Sequence, residues 1–515
     1  MTFSLLVGFS AAILYSAYAP TSFWPAAFGA LIPFVQALES ARPRMAFKLG
    51  FFWGVVFFAL LLWWLVPTIA TYGQINFILA TPVVLCLCCY LALYPALWAI
   101  FYKRLLTSGL LGLPVALAGT SAWVVLEYLR SHLFTGFPWG LVAYGLSSDP
   151  LLIQTADIWS VYGVGFIVVF FNLAIFESTR MLRNGGLKTN RSQLMILGVF
   201  FAAILLFFSG YGLYRVGQGK GAKEIEVAAV QAAIDQSQKW DPALTLYTID
   251  TYMDLTVRAK QQHPDLTLAV WPETAMPFYF QENSDARQRL QEFVRKNRLY
   301  LLFGSPSFAY DKEGRVQYLN SAYLLGPDGK VLGRYHKQHL VPFGEYMPLG
   351  PITSWARRFL PTAGDFISGT DSRPLEGGSL RIGVMICFES IFPEVARKEV
   401  AKGANLLAVI TNDAWFGNTP APWQHADMAI FRAVETRRWL VRAANTGVSR
   451  IISPLGGVRV NSGLFRPEFV ASRVELNGGE TFFVQFGTMW FIAMNLLVII
   501  FIGYKIKNAG KKEAL

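Results

Sequence analysis

For the first 214 positions apolar residues run on with few interruptions, and no charged residue stands between Lys48 and Lys103. A helix needs about 20 apolar residues to cross a bilayer core. The pattern therefore predicts spans near residues 3–19, 22–38, 49–70, 77–101, 109–127, 159–176 and 193–213, and an eighth near 484–504. The polar turn Thr71-Tyr72-Gly73-Gln74 divides the third from the fourth. Between the seventh and the eighth, short apolar runs alternate with amphipathic stretches and most of the acidic residues appear, as in one large α/β domain. The expected fold is an α-helical transmembrane bundle of eight spans with an inserted α/β domain, divided as residues 1–214, 215–480 and 481–515.

Basic residues give the orientation, because Lys and Arg stay in cytoplasmic loops. Arg42, Arg44 and Lys48 follow the second span, Lys103 and Arg104 the fourth, Arg180, Arg183, Lys188 and Arg191 the sixth, and Lys505, Lys507, Lys511 and Lys512 the eighth. The loops after the first and third spans carry no Lys or Arg, and the loop after the fifth carries only Arg130. The inserted domain therefore faces outward. In a bacterial cell this means a multi-pass inner-membrane protein with a periplasmic domain and both termini in the cytoplasm. Ala17-Tyr18-Ala19 looks like a signal-peptide cleavage site, but no basic n-region precedes it.

Composition agrees: 54% of residues are hydrophobic and only 15% charged, which excludes a wholly soluble or disordered chain. The net charge of +12 is largely the topology signal, and no nucleic-acid module appears, so nucleic acid is not an expected partner. A transporter would place paired ionisable residues deep inside several spans, and the charge-free runs lack them. Glu127 and Arg130 read as interfacial partners at the outer end of the fifth span.

Chemistry concentrates in the inserted domain. Residues 225–231, 266–270, 299–303, 321–325, 331–335 and 381–386 read as strands and 244–260 as a helix. Glu273 follows the second strand, where Pro272 ends the ladder, at the kind of strand end where open α/β folds gather their sites. Lys337 follows the strand ending at Tyr335. Cys387 is the domain's single cysteine, whereas Cys86, Cys88 and Cys89 lie in the fourth span and read as small core residues. It sits at a strand-to-helix turn, where helix-start N–H groups can lower a thiol pKa from about 8.5. Singly these residues have plain readings: an exposed carboxylate, a solvated cation, a buried filler. Together they supply a base for the thiol proton in Glu273, a cation for the oxyanion in Lys337 and a nucleophile in Cys387, with backbone N–H groups after Cys387 as a second oxyanion donor. His336 and His339 lack a third ligand at useful spacing, so no metal is expected.

In that order WPET (271–274), YHKQHLVPFGEY (335–346) and ICFES (386–390) resemble the Glu-Lys-Cys signature of the nitrilase superfamily. Within it, LVPFGEY (340–346), TNDAWFG (411–417), PWQH (422–425) and the eight-span frame resemble the apolipoprotein N-acyltransferase family, and the resemblance covers essentially the whole chain. It implies a nitrilase-like αββα sandwich in the periplasm and no cofactor or metal. The implied activity is transfer of an acyl chain from a phospholipid, phosphatidylethanolamine being the suggested donor, to the amine of the N-terminal diacylglyceryl-cysteine of apolipoproteins. Carried over by motif, Glu273 is the base, Lys337 the oxyanion stabiliser and Cys387 the nucleophile. Glu345 and Glu389 match further acidic positions of the family's site, and Trp240 in QSQKWD matches a substrate-side tryptophan. Phe388 stands where some members have Tyr, so a role needing that hydroxyl is not expected here.

A thioester on Cys387 suits removal of an acyl group from an ester and its delivery to an amine in two half-reactions. Both substrates are lipids, and the apolar segments 275–280, 346–360 with Trp355, and 414–423 with Trp415 and Phe416 flank the site residues as a lipid-facing mouth. Trp139 either joins that lining or anchors at the interface. The competing enzyme is a membrane-anchored nitrilase-type amidase, in which water resolves the same acyl-enzyme.

Overall fold

The structure, a computed structural model, describes residues 2–217, 223–348, 365–371 and 373–513. Two compact units emerge, one of Met1–Val66, Ile78–Gln218 and Phe486–Leu515, the other of Pro67–Phe77 and Gly219–Gln485.

The first unit is helical: α1 (Thr2–Tyr15), α2 (Ile32–Ser40), α3 (Ala46–Leu62), the start of α4 (Leu65–Tyr72), α5 (Phe77–Leu106), α6 (Leu113–Arg130) and α7 (Ala156–Val216). Among the described residues four helical stretches are long and apolar enough to cross a membrane, Pro43–Leu62, Phe77–Leu106, Ala156–Val216 and Met489–Asn508. Where a second span was expected the chain forms a 3-10 turn, Trp24–Phe28, and then the nine-residue α2. Pro25, Gly29 and Pro33 interrupt the ladder there. The expected third span stops at Leu62, since Pro67 cannot donate to the carbonyl of Trp63. In α3, a Cβ on Gly50 would lie 2.6 Å from Ala99 Cβ and from Pro95 O, so the glycine lets α3 and α5 pack backbone to backbone.

The 61 residues of α7 are a helical hairpin. Gly186, at φ 68° and ψ 180°, breaks the helix. Asp157 Oδ2 and Arg215 then meet at 2.7 Å, although 58 residues of straight helix would hold them about 87 Å apart. The hairpin thereby supplies the expected sixth and seventh helices. At the Gly186 end, Glu39 gathers basic residues from two helices: Lys103 of α5 donates to its carbonyl at 2.9 Å, and Arg180 and Arg183 of α7 reach its carboxylate at 3.5 and 2.5 Å.

Two sequence expectations in this unit are corrected. Glu127 and Arg130 are buried, not interfacial. Arg130 donates to the carbonyls of Phe137 and Trp139, both at 2.8 Å, and Glu127 accepts from Val142 N at 2.9 Å, so the pair staples the chain after α6. Trp139 is only 3% exposed and packs against Trp64 at 5.0 Å between centroids. It is core of the helical unit, not an exposed anchor.

The second unit contains two six-stranded mixed sheets. One orders β12 (Glu468–Glu475), β1 (Glu224–Gln231), β2 (Leu266–Val270), β3 (Tyr300–Tyr310), β4 (Val316–Leu325) and β5 (Val331–His336). The other orders β11 (Val458–Asn461), β10 (Arg450–Ile452), β9 (Leu440–Ala444), β8 (Leu406–Thr411), β7 (Leu380–Ile386) and β6 (Leu375–Gly377). Alternation along the strands decides which side faces what. Val227 and Ala229 point between the sheets with Val384, Ile386, Ala408 and Ile410. Ala228 and Val230 point outward to α8 (Thr245–Gln262) and α9 (Asp285–Asn297). On the second sheet α10 (Pro393–Ala401) packs on β7 and α11 (Ala421–Thr436) on β9. The layers are α, β, β, α. β1, β2 and β3 run parallel, as do β7, β8 and β9. The expected eighth span is delayed: α12 (Phe482–Phe486) ends at Gly487, with φ 65°, and α13 (Met489–Glu513) follows.

Candidate active site

The parallel strands deliver the site residues at their C-terminal ends, β2 to Glu273, β7 to Cys387 and β8 to Asn412. Glu273 is 7% exposed, far from the plain reading of a surface carboxylate. Asn320 Nδ2 donates to its Oε1 at 2.7 Å and Asn412 N to its Oε2 at 2.9 Å. Its backbone is held as firmly. Gly304 lies so close that a Cβ there would meet Thr274 N at 2.4 Å.

Lys337 is 1% exposed, which removes the solvated-cation reading. Its Nζ donates to Glu345 Oε1 at 2.8 Å and lies 3.8 Å from Glu273 Oε1. Burial alone would lower its pKa, but Glu345, Glu273 and Cys387 outweigh burial and hold the ammonium above its ordinary value. Glu345 also accepts from Asn320 Nδ2 at 3.0 Å and from Val341 N at 2.8 Å. One asparagine thus bridges two carboxylates that share one lysine.

Cys387 opens a 3-10 helix, Cys387–Ile391, with φ +54°. The first N–H groups of such a turn have no acceptor inside the helix. The expectation of a lowered thiol pKa is corrected. Burial pushes the thiol up and the charge of Glu273 adds to it, while Lys337 opposes. These surroundings favour the protonated thiol at Cys387. Glu389, fully buried, accepts from Gln338 N at 2.6 Å, His339 N at 3.0 Å, Ile386 N at 2.7 Å and the Tyr335 hydroxyl. Burial raises its pKa to about 7 against those N–H donors. It ties the loop after Lys337 to the strand before Cys387. Phe388 is partly buried, with its ring 5.2 Å from Phe392 and 5.8 Å from His339. A buried acceptor-rich carboxyl, a buried lysine and a strained thiol can carry covalent acyl chemistry.

Residues 10–174 match the family model described as apolipoprotein N-acyltransferase N-terminal domain, and residues 226–477 match carbon-nitrogen hydrolase. The apolipoprotein N-acyltransferase of Geobacter metallireducens is 37% identical over 506 residues, 98% of this chain and 96% of that protein. The chain belongs to the apolipoprotein N-acyltransferase family. A member from Pasteurella multocida is 30% identical over 96% of this chain and 94% of its own. Among solved structures, Saccharomyces cerevisiae Nit3 of the nitrilase superfamily has 20% identity and a TM-score of 0.39, covering 50% of this chain and 93% of its own.

Other residues expected from the family resemblance are more scattered. Trp240 is 54% exposed in the loop after β1. Trp415 and Phe416 are partly buried in the turn after β8. That turn is clamped by the segment Pro67–Phe77: Thr68 donates to Trp415 O at 3.0 Å, the Tyr72 hydroxyl to Ala414 O at 3.1 Å, and the Tyr72 and Trp415 rings lie 4.4 Å apart. In the segment 275–280, Ala275, Met276 and Phe280 belong to the core, which leaves Pro277, Phe278 and Tyr279 partly exposed. Residues 349–364, with Trp355, lie outside the described residues.

Sequence reasoning missed four members of the site. Asn320 carried no signal beyond polarity, and Asn412 was quoted only as part of TNDAWFG. Lys239 precedes Trp240, is 2% exposed and donates from Nζ to Glu273 O at 3.0 Å. Burial draws its pKa down to about 8 although Glu273 opposes. Its one hint was a lysine inside the motif already read for its tryptophan. His425 was quoted only as part of PWQH.

Proposed function

We propose that this chain transfers an acyl chain from a phospholipid to the N-terminal amine of diacylglyceryl-cysteine on apolipoproteins, through a thioester on Cys387. The near full-length relationship to the Geobacter metallireducens acyltransferase carries this reading, and the meeting of Glu273, Lys337 and Cys387 gives it a mechanism.

In the first half-reaction Glu273 takes the Cys387 proton as sulfur attacks the ester carbonyl. The developing oxyanion is held by the Lys337 ammonium and the first N–H groups of the 3-10 turn. Collapse expels the alcohol, to which Glu273 returns the proton. In the second half-reaction the neutral lipoprotein amine attacks the thioester, Glu273 accepts its proton, and the Cys387 sulfur leaves and recovers that proton. Glu345 keeps Lys337 charged and placed, and Glu389 holds the two loops together. Trp240, Trp415 and Phe416 lie on the substrate side, with phosphatidylethanolamine as donor.

The helical unit crosses the inner membrane eight times, the broken stretch from Trp24 to Ser40 making the second crossing and α7 two of them, and the α/β unit lies in the periplasm. Support comes from Glu39, just past the second expected span, on which basic residues after the fourth and sixth expected spans converge.

The test is intact mass of the protein after incubation with acyl-labelled phospholipid. An adduct of one acyl chain is expected on the wild type and none on Cys387→Ala, and a diacylglyceryl-cysteine peptide should then take the label on its amine. Absence of the adduct, or its discharge to water at the same rate with and without peptide, would sink the assignment. The second outcome is the amidase behaviour.

A further inference from the structure

Cys387 adopts a left-handed backbone conformation, φ +54°, which a residue with a side chain rarely takes. Such a conformation persists only where its surroundings hold it. Its carbonyl shows what does the holding. The Ser390 hydroxyl donates to Cys387 O at 2.8 Å, and His425 Nε2 lies 3.0 Å from Ser390 Oγ and 3.2 Å from Cys387 O. His425 Nδ1 is 3.0 Å from Asp413 Oδ1. Asp413 in turn accepts from Thr411 Oγ1 at 2.9 Å and from Arg442 at 2.7 Å.

These groups form a chain of serine, histidine and aspartate, but not a second nucleophile. Ser390 and Asp413 are fully buried and His425 is 1% exposed, so no substrate reaches them. Burial opposes the charge of Asp413, yet Arg442 and His425 outweigh it and hold the carboxyl at about 2. Arg442, which can only donate, also lies 3.1 Å from His425 Nδ1, so Nδ1 is held between a donor and an acceptor and Nε2 is the nitrogen that meets the turn, at the Ser390 hydroxyl and Cys387 O.

The other end of the same strand turn holds the base. Asn412 N donates to Glu273 Oε2 at 2.9 Å, and Asp413 is the next residue. Two consecutive residues at the end of β8 therefore reach Glu273 on one side and, through His425, the Cys387 turn on the other. We propose that His425 is a positioning residue that locks the Cys387 turn to the strand end holding Glu273, setting the thiol against its base. This assigns Thr411, Asn412 and Asp413 of TNDAWFG, with the histidine of PWQH, to one device. It rests on the acyl-transfer reading only for the identity of the donor.

The test uses the full chain with two acyl donors, a labelled phospholipid and the small ester p-nitrophenyl butyrate, whose nitrophenolate is expelled as the Cys387 thioester forms. His425→Leu is expected to lower the maximal acylation rate with either donor by about 10- to 100-fold, the scale of a misplaced reacting group. The half-saturating donor concentration should stay unchanged. His425→Gln, whose amide still offers a hydrogen-bonding partner to Ser390 and Cys387 O, should recover to within about fivefold of wild type. Leucine rates within twofold of wild type, or a glutamine variant as slow as leucine, or a change confined to half-saturation, would overturn the proposal. Should the leucine variant not fold, Ser390→Ala removes the hydroxyl shared by His425 and Cys387 O, and unchanged rates there overturn it equally. A wild type acylated by the nitrophenyl ester but not by phospholipid would refute the lipid donor and leave the positioning test standing.

Discussion

Glu273→Gln should drive two reactions of Cys387 in opposite directions. The substitution removes a negative charge while keeping the shape of a side chain that accepts from Asn320 and Asn412 N. One of those donors will face the new amide N–H, at a cost of about 1–3 kcal/mol. Lys337 stays charged, because Glu345 remains 2.8 Å away. The thiol gains: Glu273 is the leading charge that raises it, and a carboxylate within about 4–6 Å shifts a neighbour by about 1–3 pKa units. At pH 8, with the thiol mostly protonated, its loss means about 10- to 1000-fold more thiolate. Alkylation by iodoacetamide, followed by mass, should therefore speed up. It should also level off at lower pH than in the wild type, whose raised thiol keeps gaining reactivity through pH 10. Acylation by phospholipid should fall by about two to four powers of ten, because the proton has nowhere to go. If alkylation and acylation fell together, Glu273 would be holding the nucleophile in place, and its role as base would be refuted.

Lys337→Met is expected to slow both reactions, acylation by about two to four powers of ten, since thiolate and oxyanion lose the same cation; near-normal acylation would refute the oxyanion role. Lys239→Met, which leaves Glu273 O without its buried donor, should cut acylation by about 10- to 100-fold without changing half-saturation by phospholipid; a purely half-saturation effect would place Lys239 on the substrate instead. Trp415→Ala should weaken phospholipid acylation more than iodoacetamide alkylation, measured in the same detergent, because only the lipid needs the apolar approach. A reporter fused after Gly329 should be exported and one fused after Asn184 should stay cytoplasmic; the reverse would put Cys387 in the cytosol and end the lipoprotein assignment.

Much of the α/β unit was legible because alternation is short-range: β1, β2 and β5 begin and end within a residue or so of the expected limits. The grouping of Glu273, Lys337 and Cys387 was legible because each follows a strand and carries a distinctive side chain. The helical unit was harder. Hydropathy sees the apolar content of residues 22–38 and 49–70 but not the backbone cost of Pro25, Pro33 and Pro67. Burial of Trp139 and Arg130 could not be read either, since aromatic and basic residues look alike at an interface and in a core. Asn412 contributes a backbone N–H to a carboxylate 139 positions away, and backbone donors leave no mark on a sequence.

The placement of Glu273 and Lys337 on one sheet and Cys387 on the other gives these long-range bonds a purpose. Glu273, Lys337 and Asn320 belong to the first sheet, Cys387, Glu389 and Asn412 to the second. The interface between the sheets is apolar and nondirectional, so packing alone would tolerate small slides of one sheet over the other. A base and a thiol do not tolerate them, because a displacement of about 1 Å can cost a hundredfold in rate. Polar ties cross at the rim where the chemistry lies. Asn412 N binds Glu273, and Glu389 binds Gln338 N, His339 N and the Tyr335 hydroxyl. Each tie ends on a buried carboxyl group, whose alternative to being bonded is an unsatisfied polar group in the interior, costing about 1–3 kcal/mol. The carboxyl groups thus convert a slippery interface into a registered one. Loss of Glu389 should therefore loosen the register of the two sheets where Cys387 meets Lys337.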